Sequence, residues 1–290
     1  MYSTLEYISS VEYTEHYNDV EKIVLGNIND VGLGNQLFII CNTIAYAKRN
    51  HLQPRFYYKS NYGFRNSYWD TLFHTLQPLL LYNPISLEST YKEKDFTYHP
   101  IPNDTIFDSL EGYFQCELYF KDHFTYIYEL LNWKQKQDII RPSLSLGPHK
   151  NISLHFRLGD YKSQIILSLS YYKKSLACLS NIIDSFDVLC FYEKENQNEI
   201  DLVLYELQAQ FQDITFRLIP NDLPTLSEWE EMVAMSCCDH HIIANSSFSW
   251  WGAYMNNNPS KMVFYPTPWF RDKYVNDKDI CPSSWIPISD

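Results

Sequence analysis

The stretch Asn151-Ile152-Ser153-Leu154-His155-Phe156-Arg157 alternates without a break. Ile152, Leu154 and Phe156 fall on one face of an extended chain, and Ser153, His155 and Arg157 on the other, which predicts a strand. Immediately before it, RPSLSLGPHK (141–150) is rich in Pro, Ser and Gly and reads as a linker. Beyond it the pattern predicts a helix over about 171–185, a strand over 187–193, a helix over about 196–211 and another strand over 214–218. Ser227 and Glu230 form a capping box ahead of a helix running to about Cys238. A short buried strand over 241–244 then leads into a helix over 246–255. On the other side of the linker, KIVLGN (22–27) reads as a buried strand. A glycine turn follows, and then a helix from about Asn35 to Asn50 with Leu37, Ile40, Cys41, Ile44 and Ala47 on one face. A further helix is expected near 117–133. Residues 51–110 are aromatic and punctuated by proline, with little periodicity. Strands alternating with helices predict an α/β fold with parallel sheets. Two such units around a linker predict two domains, 1–145 and 146–290, facing each other across a cleft.

The chain has 290 residues, of which 45% are hydrophobic and only 20% charged, so it is long enough and apolar enough for ordinary folded domains. The net charge of −12 repels polyphosphate backbones and argues against a nucleic-acid partner. A phosphate-bearing ligand would therefore need a local positive pocket. The first twenty residues lack the basic start and apolar core of a signal peptide, and no stretch reaches eighteen uncharged apolar residues. A cytoplasmic protein without a stable membrane anchor is the expectation. Seven cysteines in no disulfide-like spacing fit reduced thiols.

Three segments carry chemistry. Gly32-Leu33-Gly34-Asn35-Gln36 lies between a strand and a helix, where glycines let a ligand approach backbone and helix N-terminus. A tight turn needing positive φ explains these glycines equally well. As a dinucleotide fingerprint the segment is incomplete, since Leu37 replaces the third glycine and no acidic residue follows about twenty positions on. His155-Phe156-Arg157-Leu158-Gly159-Asp160-Tyr161 sits at the carboxyl end of a strand, the edge where open α/β sheets bind ligands. His155 and Arg157 share a face, and an arginine fork suits a diphosphate; the alternative is an Arg–Asp pair tying a loop. In Asn245-Ser246-Ser247-Phe248-Ser249-Trp250-Trp251-Gly252 a strand runs into hydroxylated residues and then a helix, which makes an anion site, a helix cap, or both. The tryptophans read as core.

These three segments in this order, together with Gly112-Tyr113-Phe114-Gln115 and Tyr119-Phe120, resemble the motifs of the α-1,2-fucosyltransferases, glycosyltransferase family eleven. The resemblance spans about Val24 to Phe270. It implies a GT-B-like fold of two Rossmann-like domains and an inverting, metal-independent transfer of L-fucose from GDP-fucose to a glycan hydroxyl, O2 of a galactoside. It places Arg157 on the donor β-phosphate and His155 beside the nucleotide. Asn245, Ser246, Ser247 and Phe248 fall at the phosphate and sugar, and Gly34, Asn35 and Gln36 approach from the other domain. Glu193 stands where related enzymes read guanine, although the family usually has two aspartates where this chain has Glu193-Lys194. Tyr113 and Gln115 fall on the acceptor side. Asp160, the carboxylate closest in sequence to Arg157, is the candidate base, with a structural role for it equally open.

One departure bears on the donor. The family pattern has two consecutive arginines, and the second is Leu158 here, which can neither hydrogen-bond nor neutralise charge. Alternatives are a transferase for another nucleotide-activated deoxysugar, or an inactive carbohydrate-binding protein of the same fold. No metal is expected. Cys237, Cys238, His240 and His241 crowd together in a spacing unlike a zinc knuckle. Asp277-Lys278-Asp279 mimics a D-x-D motif but reads as a solvated tail.

Overall fold

The computed structural model describes residues 22–157 and 167–290. In the first half, β1 (Ile23–Gly26), β2 (Gln53–Tyr57), a hairpin of β3 (Asn61–Tyr62) and β4 (Arg65–Asn66), β5 (Leu80–Leu81), β6 (Thr90–Lys92) and β7 (Ser109–Glu111) follow in turn. All but the hairpin join one parallel sheet in the order β5-β2-β1-β7-β6. Most of these strands have only two to four residues, too short to show an alternation in sequence.

The second half contains β8 (Lys150–His155), β9 (Phe186–Phe191), β10 (Thr215–Leu218), β11 (His240–Ile242), β12 (Val263–Thr267) and β13 (Ile286–Ser289). Their order is β10-β9-β8-β11-β12-β13, again all parallel. Counted from β8, this is the doubly wound order 3-2-1-4-5-6, whose direction reverses between β8 and β11. The crevice outside that point is where such sheets bind ligands.

Helices cover both faces of the second sheet. α4 (Leu169–Ser180) and α5 (Gln197–Gln210) pack on one, burying Ile152, Leu154, Val188 and Cys190. α7 (Glu228–Ser236) and α8 (Ser247–Tyr254) pack on the other, against Leu189 and Phe191; α6 (Ile219–Asp222) is a single turn. The alternating segment 151–157 is therefore central rather than half-exposed, and even Ser153 is only 3% exposed. Ser153 on its polar face is satisfied inside: Ser153 Oγ lies 2.7 Å from His241 Nδ1, and Asn256 Nδ2 lies 2.9 Å from His241 Nε2. Burial keeps the His241 ring well below the usual histidine pKa, so it is held neutral.

α1 (Leu33–Arg49) packs on α8, and the core of the first sheet runs on without interruption into the α7–α8 face of the second. Phe38 of α1 meets Trp250 and Trp251 at ring-centroid distances of 4.6 and 4.9 Å. Both tryptophans are fully buried, as their reading as core requires.

Several boundaries differ from expectation. The single helix expected over 117–133 is two 3-10 turns, then α2 (Phe124–Leu130) and α3 (Trp133–Ile140), broken where Asn132 takes a left-handed φ of 52°. α1 begins two residues early, inside the glycine turn, and Gly32 caps it at φ −67°. Neither glycine of that turn is among those with positive φ. The capping box at Ser227 and Glu230 forms as expected, a feature worth about 1 kcal/mol. The Asp277-Lys278-Asp279 segment is not a solvated tail, since both aspartates bond to backbone elsewhere in the fold and β13 follows them. All seven cysteines are free.

Candidate functional site

The C-terminal ends of β8, β9, β11 and β12 open on a cleft of about 660 Å³ whose opposite wall is the start of α1. At its floor stand His155 and Arg157, at the end of β8, facing Asn245, Ser246, Ser247 and Phe248, which lead into α8. Ser246 is the N-cap: its Oγ accepts from Phe248 N at 3.3 Å, and the helix dipole points its positive end at the cleft. The His155 ring packs against that of Phe248 at 5.6 Å.

Two buried polar atoms here have no partner among the described residues. They are His155 Nδ1 and Asn245 Oδ1, in side chains 8% and 7% exposed. Natural interiors leave few such groups, and those at a cleft floor are where a ligand's polar groups would fit. Burial first, and then the charge of Arg157, push the His155 pKa down to about 3, so the ring is neutral and can serve as a hydrogen-bonding partner.

From the first half, Gly32, Gly34, Asn35 and Gln115 line the cleft, as does Glu193 after β9. A methyl on Gly32 would meet nothing within 4 Å, so its missing side chain opens space for whatever enters. Gly34 is different, because its missing side chain is filled by protein. A Cβ there would come within 2.4 Å of Ser247 C and 2.7 Å of Phe248 N, so this glycine permits the two helix N-termini to meet.

Two expected site residues lie elsewhere. Gln36 is 1% exposed and does not reach the cleft. Its Nε2 donates to Val31 O at 2.9 Å and to Asn66 O at 2.8 Å, tying the β1–α1 loop to the β3–β4 hairpin. Tyr113 is 41% exposed and stacks on Phe96 outside the cleft lining. Asp160 lies outside the described residues.

Sequence reasoning missed Arg65, Lys194, Glu228, Glu231, Trp269 and Phe270, all of which line the cleft. Arg65 belongs to the hairpin that Gln36 pins, within the region where no periodicity could be read. Glu228 and Glu231 occupy the first turn of α7, where acidic residues are common for dipole reasons and draw no notice. The Tyr68 hydroxyl hydrogen-bonds the Glu228 carboxylate across the two halves. Desolvation raises the Glu228 pKa; the Tyr68 hydrogen bond and Arg65 work against that shift, and Glu193 adds to it. Desolvation also pushes Glu231 up to about 7, opposed by Lys194 and reinforced by Glu228.

The crowded Cys/His patch is fully engaged in structural contacts. Cys237 and Cys238 approach backbone carbonyls, His240 Nδ1 accepts from Met262 N at 2.9 Å, and His241 is held as described. Among the described residues no group of three or more His, Cys, Asp or Glu side chains could hold a metal. Likewise, no helix among them is long and apolar enough to cross a membrane.

Two parallel α/β sheets facing one cleft, with an arginine and a capped helix N-terminus at the switch point of the second, make an α/β fold of the GT-B type. The chain belongs to glycosyltransferase family 11, whose model, described as "Glycosyl transferase family 11", matches residues 89–289. An α-1,2-colitosyltransferase of Escherichia coli is 32% identical over 192 residues, 61% of each chain. The O-antigen biosynthesis glycosyltransferase WbnK of Escherichia coli is 30% identical over 148 residues, 47% of this chain and 44% of that one. The matches thus span less than two thirds of either relative's length. Among solved structures, the fucosyltransferase NodZ from Bradyrhizobium aligns over 80% of this chain and 92% of its own, at 13% identity and a TM-score of 0.46.

Proposed function

We propose that this glycosyltransferase moves a deoxyhexose, L-fucose in the first instance, from a GDP-sugar to a hydroxyl of a glycan acceptor, O2 of a galactoside, with inversion and without a metal ion. The observation that carries the reading is that Arg157 and the capped start of α8 line one cleft at the switch point, beside His155, whose Nδ1 has no partner among the described residues. Departure of the sugar as an oxocarbenium-like species leaves growing negative charge on the diphosphate. Donors already fixed in place stabilise such charge without reorganising; the N–H at Ser247 at the start of α8 and the Arg157 guanidinium are the groups proposed for that task. Glu193 then accepts from guanine N1–H and N2–H₂ one strand away. Asp160, three residues beyond Arg157 in sequence, is the proposed base for the acceptor hydroxyl.

A second donor is favoured by one observation. The relative that is 32% identical is named for colitose, like fucose a deoxyhexose. A GDP-linked deoxysugar other than fucose is therefore the alternative.

Thermal-shift titration with GDP, GDP-fucose, UDP and NAD, each with and without EDTA, tests the reading. A ligand at a hundred times its dissociation constant stabilises by about 2.7 kcal/mol. Shifts with GDP and GDP-fucose alone, insensitive to EDTA, are expected. A response to UDP or NAD only, or its abolition by EDTA, would overturn the donor or the metal-free step. Donor hydrolysis without acceptor separates an enzyme from an inactive binding protein.

A further inference from the structure

The groups along the C-terminal edge of the second sheet follow strand order. Glu193 comes after β9, Arg157 at β8, Ser246 after β11, and Trp269 and Phe270 after β12. With strands about 4.8 Å apart, the ends of β9 and β12 stand about 14 Å from each other. Phe270 is thus at the far side of the diphosphate position from the carboxylate that would read the base. There the ring of Phe96, from the first half, meets Phe270 at 4.7 Å, and Phe96 stacks on Tyr113 at 5.9 Å and 20°. The three rings form a shelf that runs in contact from Phe270 in the cleft wall, through a 47° tilt at Phe96, to the exposed Tyr113.

The shelf is held by the segment expected to be a solvated tail. Asp277 Oδ2 accepts from Trp269 N at 2.6 Å and from Phe270 N at 3.3 Å. Asp279 Oδ2 accepts from Tyr98 N at 2.9 Å, two residues beyond Phe96. One aspartate therefore fixes the Phe270 side and the other ties the Phe96 side to it. Next to the shelf, Gln115 Nε2 donates to Asn35 Oδ1 at 2.8 Å. That leaves Asn35 Nδ2 as donor and Gln115 Oε1 as acceptor toward the cleft.

We propose that Phe270, Phe96 and Tyr113 form the platform on which the acceptor's pyranose ring lies, and that Asp277 and Asp279 are positioning residues that hold it. The inference rests on the donor reading of the cleft given above. A pyranose presents polarised C–H groups on one face, and an aromatic face carries negative potential, so the two attract while apolar area is buried. The hydroxyls at the ring edge are then left for the Gln115–Asn35 pair. A purine could also stack on such a ring. The distance from Glu193, and the supply of two of the three rings by the first half, favour the sugar.

The test uses the full chain saturated with GDP, with methyl glycosides of galactose, glucose and N-acetylglucosamine as probes in saturation-transfer NMR. Tyr113→Ala and the milder Phe270→Leu are expected to weaken pyranoside binding roughly five- to tenfold, with the Kd for GDP kept within about twofold. Asp279→Asn is expected to raise the acceptor KM and retain kcat, whereas a merely structural aspartate would lower the melting temperature and weaken both ligands together. Unchanged pyranoside binding in both ring variants overturns the platform. So does weakened GDP binding with pyranoside binding intact, which would give the ring to the nucleotide. If no pyranoside binds the wild-type GDP complex, the platform falls and the donor reading stands; if GDP itself does not bind, both fall.

Discussion

The indole Nε1 of Trp251 donates a 2.8 Å hydrogen bond to the carbonyl oxygen of Gly34, 217 residues earlier in the chain. The bond joins the first turn of α1 to α8, so the two elements that bring main-chain groups to the cleft are locked to each other before any ligand arrives. Gly34 permits the contact by having no side chain. Gly34→Ala should push the helices apart at a cost of about 1–3 kcal/mol, the scale of overpacking in a tight interior. It should also weaken GDP binding by displacing the start of α8. Melting temperature and GDP affinity measured on the same variant check both.

Gly32→Ala is the contrasting case. Its methyl would project into open cleft, so stability should fall only by the poorer helix cap, about 0.5–1 kcal/mol. Donor binding should suffer more than stability does. A variant that bound GDP and GDP-sugar as well as the parent would show that no ligand approaches this stretch of backbone.

How far the sequence reveals this arrangement depends on the length of each signal. The second half is legible because β8, β9 and helices α4, α5, α7 and α8 are long enough for their periods to repeat, and because Ser227–Glu230 and Ser246 mark helix starts. The first sheet is largely illegible, since β5, β6 and β7 have two or three residues and their connections are held by side chains far apart in sequence. Cleft residues carried at or just beyond strand ends were legible: His155, Arg157, Asn245 and Glu193. Those brought in by tertiary contact were not, as with Arg65 on its pinned hairpin or Phe270 under Asp277. Gln36 shows the opposite failure. It stands within a ligand-like motif, yet its amide is spent on two backbone carbonyls.

Glu231 should make stability depend on pH in a predictable direction. Its carboxyl is pushed up to about 7 from the ordinary 4.5, chiefly by desolvation. Below the lower value both folded and unfolded chains hold the proton, and the residue has no pH-dependent effect. Between the two values the unfolded chain has released its proton and the folded one has not. Above the upper value the folded cleft carries the charge at full cost. Glu231→Gln cannot ionise, so its melting temperature relative to the parent should rise from about pH 5 and level off above about pH 7. A gain in stability that accompanies a loss of turnover would mark the carboxylate as one kept for function. A difference that does not vary with pH would show that the group is not desolvated.

Arg157→Ala should lower turnover by about 10²–10³-fold, the effect of removing one preorganised donor from developing charge. Arg157→Lys should recover part of it, since a lysine restores the charge without the fork. Steady-state rates with GDP-fucose, or with whichever GDP-sugar shifts the melt, provide the measurement. Near-parental turnover in Arg157→Ala would remove this residue from the chemistry.

The same guanidinium also acts on its neighbour. Burial and the Arg157 charge hold His155 at about 3, against an ordinary 6.5. Above the ordinary value the ring is neutral in both folded and unfolded chains, and stability is unaffected. As the pH falls below it, the unfolded ring gains a proton that the folded ring refuses, so stability is lost progressively by up to about 1.4 kcal/mol per pH unit until the folded value is reached. His155→Gln should therefore blunt the acid sensitivity of the melting temperature between about pH 6 and pH 4. Ring resonances of His155 in an NMR titration should not move over that span in the parent. In Arg157→Ala the midpoint should rise, because the second cause of the depression is gone, and stay below 6.5, because burial remains. A parental midpoint near 6.5 would mean that the ring is solvated, and its part in forming the anion site would then be lost.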